Sequence, residues 1–224
     1  SILRRFLRFC ADKKYISKDI VESWKPKVKY ISRPVIYLTW DELMRVYTIE
    51  LDEKLAAVRD VFCFMCFTGL RYSDAITLSK ASVGDNTIQL TTKKTSRILR
   101  IALNNYAKEI LDKYQSVRGN IVFPRIANAV MNVHLKTIAK KAGLDSIITL
   151  SQYYGSKRVD EEYFKHELIS THCGRRTFVV NALALGISPH VVMKWTGHSD
   201  LSAMKPYIDI ADETLMQEMS KFNR

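Results

Sequence analysis

The chain has 224 residues, of which 47% are hydrophobic, enough for a sizeable core and too many for a disordered chain. No apolar run reaches the roughly 18 to 20 residues of a membrane span, and the charged start SILRRFLRFCADKK lacks the small-residue cleavage site of a secretory signal. The net charge of +12 is uneven: residues 1–33 hold ten Lys/Arg against three Asp/Glu, a net of +7, leaving +5 for the rest. A cationic arm on a nearly balanced globule points to a polyanion, although a merely solvated basic surface fits the composition as well. Four cysteines in a chain this long do not make a disulfide framework, so a reducing, cytosolic setting is expected.

Ile2 to Tyr15 carries apolar residues at 2, 3, 6, 7 and 10 with arginines between them, the pattern of an amphipathic helix. It is too short to stand alone and reads as the last helix of a preceding domain. Lys25-Pro-Lys-Val-Lys29 and Arg33-Pro34 then read as an extended basic linker, because residues before proline avoid the helical region. The expected division is therefore 1–34, terminal helix plus linker, and 35–224, the main domain. Thr39-Trp-Asp-Glu42 has capping-box spacing and should open a helix to about Glu50. Leu51 to Thr68 reads as a strongly apolar helix stopped by Gly69. Cys63 and Cys66 fall inside it, where core packing explains them better than zinc or redox chemistry. Arg71 and Asp74 follow on a short turn into a new helix, three residues apart on one face. Taken alone, that pair could be a surface ion pair.

Thr87 to Thr92 and Arg97 to Leu103 read as two strands around a tight turn carrying Lys93 and Lys94. Asn104 should cap a helix to about Val117, and Asn128 to Lys141 is another, closed by Gly143. A second, polar hairpin is expected over Ile147–Tyr163, with Gly155-Ser156 near its turn. Thr171 reads as the N-cap of a helix to Leu185, placing His172 and Arg175 on one face. Ser188-Pro189 begins the next helix, after which Gly197 turns the chain and presents His198. Leu201 to Tyr207 reads as a short helix bearing the tyrosine. Asp212 should cap a last helix whose Leu215, Met216, Met219 and Phe222 form an apolar stripe, docked on its own core or on a neighbouring copy. The whole is mainly α with small antiparallel β-hairpins.

Three stretches concentrate the chemistry: TGLRYSD (Thr68–Asp74), THCGRRTF (Thr171–Phe178), and Gly197-His198-Ser199 with Tyr207. In order, kind and spacing they resemble the tyrosine recombinases, the phage-integrase family, from about residue 35 to the end. The resemblance implies that family's catalytic fold and site-specific cutting and rejoining of DNA through a 3′-phosphotyrosyl intermediate, in integration or excision of a phage or mobile element. It implies that Arg71 and Arg175 grip the scissile phosphate and that Tyr207 is the nucleophile. Lys94 resembles the lysine that protonates the 5′-oxygen, with Lys93 beside it as the competing choice. His172 resembles the residue assisting proton transfer, His198 a second phosphate hydrogen-bond donor, and Asp74 the acid supporting the first arginine. Lys25, Lys27, Lys29, Arg33, Lys93 and Arg176 are the candidate DNA contacts, Arg176 reading equally as a salt-bridge partner. His166 and His190 are read as surface or structural. The resemblance further implies double-stranded DNA as partner, a clamp completed by an N-terminal DNA-binding domain, and a bacterial, cytoplasmic, nucleoid-associated setting. It implies a tetramer on DNA, from a monomer in solution, tethered through the C-terminal helix.

The chemistry fits those residue types. Two planar guanidiniums meet a growing phosphate charge better than ammoniums would. A phenol with a free pKa of about 10 needs nearby positive charge or a base, and a 5′-alkoxide leaves only if an acid protonates it. No metal or cofactor is expected, since the phosphotyrosyl ester retains the bond energy and no zinc-type histidine pattern is present. Two alternatives share this reading: a type IB topoisomerase that relaxes single duplexes, and a non-catalytic DNA-binding regulator of the same fold.

Overall fold

A computed structural model describes residues 2–24, 34–93, 96–154 and 157–219, the last seven by backbone alone. The chain divides into two compact units, residues 1–33 with 151–160, and residues 34–150 with 161–224. In the first, α1 (Ile2–Asp12) is followed by a further short helix, α2 (Lys18–Ser23), beyond those expected from the sequence, whose N-cap Ser17 accepts a hydrogen bond from Asp19 N–H. Ala11 of α1 and Val21 of α2 are buried, while Ile2, Leu3, Phe6 and Phe9 lie exposed. The linker lysines Lys25, Lys27 and Lys29, and Arg33, lie outside the described residues.

The second unit is built around α4 (Glu53–Thr68). Asp52 caps its start, and Gly69, at φ 71°, ends it in the left-handed conformation. The second half of this helix is apolar on every side and has to be surrounded; Val58, Val61, Phe62, Cys63, Phe64, Met65, Cys66 and Phe67 are all buried. Burial pushes both cysteine thiols up, in keeping with an inert core role. Before it, α3 (Trp40–Thr48) opens with the expected capping box: Thr39 N–H donates to Glu42 Oε2 at 2.8 Å, and Glu42 N–H to Thr39 Oγ1 at 3.3 Å. After it come α5 (Tyr72–Ala75) and the antiparallel pair β1 (Thr87–Thr91) and β2 (Ile98–Ala102), in register Leu90 to Leu99. Asn104 caps α6 (Asn105–Lys113), which ends four residues before Val117, and α7 (Asn128–Lys141) follows.

Strands β3 (Ile147–Tyr154) and β4 (Lys157–Phe164) form the second hairpin; Gly155 and Ser156 lie outside the described residues. The one-turn α8 (Lys165–Leu168) leads into α9 (Thr171–Ala184). Here the N-cap is Ser170 rather than Thr171. Thr171 is instead consumed by tertiary bonds, its N–H to Asn132 and its hydroxyl to Asn128, both on α7. Helix α9 lies against α4 where Gly174 offers no side chain; a Cβ there would sit 3.1 Å from Met65 Cβ. Thr177 and Asn181 of α9 also hold both backbone groups of Leu38, at 2.9 and 3.1 Å.

Helix α10 (Pro189–Thr196) starts at its proline and ends at Gly197, φ 68°. The tyrosine does not ride on a short helix separate from the last one. After a 3-10 turn at Leu201–Ala203, a single helix, α11 (Lys205–Met219), carries Tyr207 in its first turn and continues through Asp212, which caps nothing. Pro206 is tolerated there because the first helical turn needs no amide donor, and Ile208 to Ala211 contains no breaker. Met204 and Ala211 pack into a second core with Val179, Ala182 and Leu183 of α9 and Val192 of α10. Side chains from residue 213 onward, including Leu215, Met216, Met219 and Phe222, lie outside the described ones. Among the described residues, no helix is long and apolar enough to cross a membrane.

Candidate active site

Arg71 sits at the N-cap position of α5, directly after the Gly69 turn, so the burial of α4 fixes where its backbone stands. Its side chain is 23% exposed and reaches toward Asp74, with Nη1 3.9 Å from Oδ2. That gap is too long for a hydrogen bond. Both atoms are buried without a hydrogen-bond partner among the described residues. Asp74 spends its other oxygen on the β1–β2 turn, where Oδ1 accepts from the Lys93 backbone N–H at 3.0 Å. The same carboxylate therefore faces Arg71 and grips the lysine-bearing turn. The Lys93 side chain is exposed; Lys94, the favoured acid, lies outside the described residues.

Arg175 is held from beneath. It is 4% exposed, a cost tolerated because Nη1 donates to the Gly69 carbonyl at 3.0 Å and Nη2 to the Thr196 carbonyl. Nη2 also lies 3.3 Å from His198 Nε2. Burial, then the neighbouring Arg71 guanidinium, push its pKa down to about 10 against the opposite pull of Tyr207 and Asp74. Both arginines, the acid and the tyrosine thus act on one another electrostatically.

His198 joins the same cluster. Its Nδ1 is 2.8 Å from Thr196 Oγ1, and burial, Arg175, Arg71 and His172 together push its pKa down to about 4. His172, in the first turn of α9, is exposed. Tyr207 is half-buried against the second core. Arg71, Asp74, His172, Arg175, His198 and Tyr207 are therefore brought within electrostatic influence of the same cluster, from the start of α5, from α9, from the turn after α10 and from the first turn of α11. Arg176, half-buried beside them in sequence, has its Nε buried without a partner among the described residues, and no ion pair there engages it. His166 pairs with Asp145 at 3.1 Å and stacks on Phe164, a structural role. His190 lines a cavity of about 370 Å³ with Arg97, Lys194 and His198.

Two residues anchor the cluster in a way the sequence does not show. Gly69 and Thr196 contribute carbonyls that anchor Arg175, and Thr196 adds a hydroxyl that anchors His198. Both stand beside residues already singled out, but backbone carbonyls leave no mark in a sequence. Among the described residues, no group of His, Cys, Asp and Glu is placed to hold a metal ion.

Residues 37–214 match the model of the phage integrase family. The tyrosine recombinase XerD of Chlamydia trachomatis serovar D is 22% identical over 231 residues, spanning 99% of this chain and 72% of its own. A lambda integrase dimer bound to a COC′ core site superposes with a TM-score of 0.68 at 17% identity, over 93% of this chain and 70% of that one. XerH site-specific recombinase, bound to its palindromic difH substrate after cleavage, gives 0.59 at 17% identity and 85% of this chain. This chain spans only 54% of the XerH chain. At such identities the two structural likenesses establish the mainly helical fold with its two small antiparallel sheets.

Proposed function

Since the chain belongs to the phage integrase family, we propose that it is a site-specific recombinase that cuts and rejoins duplex DNA through Tyr207. The observation that supports this reading is the mutual electrostatic influence of Arg71, Arg175, His198 and Tyr207, with Arg71 Nη1 buried and lacking an acceptor among the described residues. An unmet buried donor costs about 1–3 kcal/mol, and a phosphate oxygen would satisfy it. Two fixed guanidiniums then stabilise charge as it builds on the non-bridging phosphate oxygens; loss of one such donor costs enzymes about 3–4 kcal/mol.

In this mechanism the Tyr207 oxygen bonds to phosphorus as the bond to the 5′-oxygen breaks. The phenolic proton departs through His172 or water, and the leaving oxygen receives one from the hairpin lysine, Lys94. The resulting 3′-phosphotyrosyl ester is attacked by a 5′-hydroxyl to reseal the strand, so no high-energy cofactor is consumed. Asp74 positions both the first arginine and the lysine turn. Lys25, Lys27, Lys29, Arg33, Lys93 and Arg176 contact the DNA backbone. Residues 1–34 belong with a DNA-binding domain that completes a clamp, and 35–224 form the catalytic domain. XerH and lambda integrase are described on DNA, the latter as a dimer, which supports DNA as partner and self-association; the proposal goes further, to a tetramer on two duplexes tethered by the last helix. Its setting is the bacterial cytoplasm and its task the movement of a phage or mobile element.

The test is covalent capture on a pool of nicked duplexes with a randomised core. The parent should give a protein–DNA band that survives denaturant, and Tyr207→Phe should give none while still binding DNA. Equal yields from the two, or none from the parent, overturn the proposal.

A further inference from the structure

The hydrogen bonds around His198 fix where its proton sits, and they do so from both sides of the ring. Thr196 Oγ1 lies 2.6 Å from the Val192 carbonyl. A carbonyl can only accept, and a hydroxyl has one proton, so that proton points at Val192. Toward His198 Nδ1, at 2.8 Å, the hydroxyl is then left with lone pairs, and Nδ1 must carry the hydrogen. On the opposite edge, a guanidinium has donors and no acceptor. Arg175 Nη2, 3.3 Å from Nε2, therefore requires a bare lone pair there. Both contacts give the same neutral Nδ1–H form, with the Nε2 acceptor turned toward Arg175. An oxygen anion meeting that lone pair is repelled rather than bound.

We infer that Thr196 is a positioning residue that locks His198 in this form, so that an anion gripped by Arg71 and Arg175 is captured together with a proton taken up at His198 Nε2. The inference rests on the phosphate-binding role proposed above for the two arginines. Thr196 is fully buried, and its hydroxyl is committed to a short bond. Keeping both that bond and the one from Nδ1 leaves protonation as the route by which Nε2 becomes a donor. The imidazolium so formed makes a charge-assisted bond to the anion, stronger than a neutral one.

The surroundings supply the gating. Facing His198 are Arg175 and His172 from α9 and Arg71 from the start of α5. Arg97 from the hairpin turn, with His190 and Lys194 of α10, lines the cavity at its other side. Tyr207 of α11 pulls the Arg175 pKa upward, and Asp74, the acid nearby, is turned toward Arg71 and the lysine turn. Without an anion, burial and this cationic company oppose a further charge, holding His198 down to about 4. An anion between the arginines reverses the balance, and linkage requires that proton and anion favour each other equally.

The experiment is nitrogen-detected NMR of the whole chain with ¹⁵N-labelled histidine, His198 being identified by the signals that vanish in His198→Gln. Sulfate, a dianion throughout the range used, serves as the phosphate probe. In its absence, the parent should show Nδ1 protonated and Nε2 bare at pH 7. Saturating sulfate should raise the His198 pKa by about one unit or more, a tenfold gain in proton affinity. Thr196→Ser, which keeps the hydroxyl, should reproduce both results. Thr196→Val, which keeps the shape but removes the acceptor for Nδ1–H, should let the ring take the Nε2–H form once sulfate engages Arg175, and so bind sulfate without proton uptake. A parent ring protonated on Nε2, a His198 pKa unmoved by sulfate, or a valine variant indistinguishable from the parent would each overturn the inference. None of these signals depends on DNA cleavage, so failure to trap a covalent adduct would remove the recombinase reading and leave this result to stand or fall separately.

Discussion

Replacing Gly69 by alanine should damage both the fold and the cleft, and the two parts of the cost can be separated. Gly69 has φ 71°, a conformation that costs a residue with a Cβ roughly 1–2 kcal/mol. Its added methyl would also sit 2.5 Å from Phe178 Cδ1 and 2.9 Å from Thr196 Cγ2, closer than carbon atoms approach without displacement. Overpacking of that kind costs about 1–3 kcal/mol, so the total should be about 2–5 kcal/mol. Gly186 provides the control, because its φ of 80° carries the same backbone cost and nothing lies within 4 Å of a Cβ there. Urea denaturation followed by circular dichroism should therefore place Gly186→Ala about 1–2 kcal/mol below the parent and Gly69→Ala clearly lower still. Trimming the obstacle with Phe178→Leu should return part of the difference, since adjacent groups sharing one space are not additive. Because the Gly69 carbonyl anchors Arg175 and the displaced Thr196 anchors His198, adduct formation should fall further than stability does. Equal losses at positions 69 and 186 would refute the idea that this glycine is required for close packing.

Asp74→Asn keeps an oxygen for the Lys93 amide but removes the charge facing Arg71; adduct formation should drop about ten- to a hundredfold, the scale of a misplaced catalytic group, while the DNA dissociation constant moves only a few-fold. An unchanged adduct rate would make Asp74 a packing residue. Lys94→Ala should slow cleavage of normal DNA far more than Lys93→Ala, and a 5′-sulfur-bridged substrate, whose leaving group needs no acid, should rescue it; equal sensitivity of the two variants would reject Lys94 as the acid. His198 makes stability pH-dependent, with a sign fixed by its depressed pKa. The unfolded chain takes up the proton first, so stability present above pH 6.5 is lost as pH falls toward 4. Allowing for solvent screening of a half-exposed ring, the loss should be about 1–2 kcal/mol, seen as a steeper decline of the urea midpoint in the parent than in His198→Gln. Parallel declines would mean that the imidazole is not held neutral.

What was legible in the sequence was what short-range rules decide. The Thr39–Glu42 box, the stop at Gly69, the start at Pro189 and the β1–β2 hairpin each depend on residues within one turn of each other. Errors arose where a distant partner overrode a local preference. Thr171 is a good cap by type, yet Asn128 and Asn132 claim its polar groups and Ser170 takes the position. Asp212 is also a capping type, but a cap needs a chain break before it, and α11 has none between Pro206 and that residue. The cleft divides in the same way. Its charged members could be singled out because they fall in three short motifs, TGLRYSD, THCGRRTF and Gly197-His198-Ser199 with Tyr207, that carry the family resemblance. The anchors could not, because they act through the Gly69 and Thr196 carbonyls, and any residue has a carbonyl. Yet those anchors orient Arg175, and Thr196 decides which edge of His198 carries the proton. Side-chain identity thus sets which chemistry is available, while the protonation state in which it waits is set by contacts that only the folded chain creates.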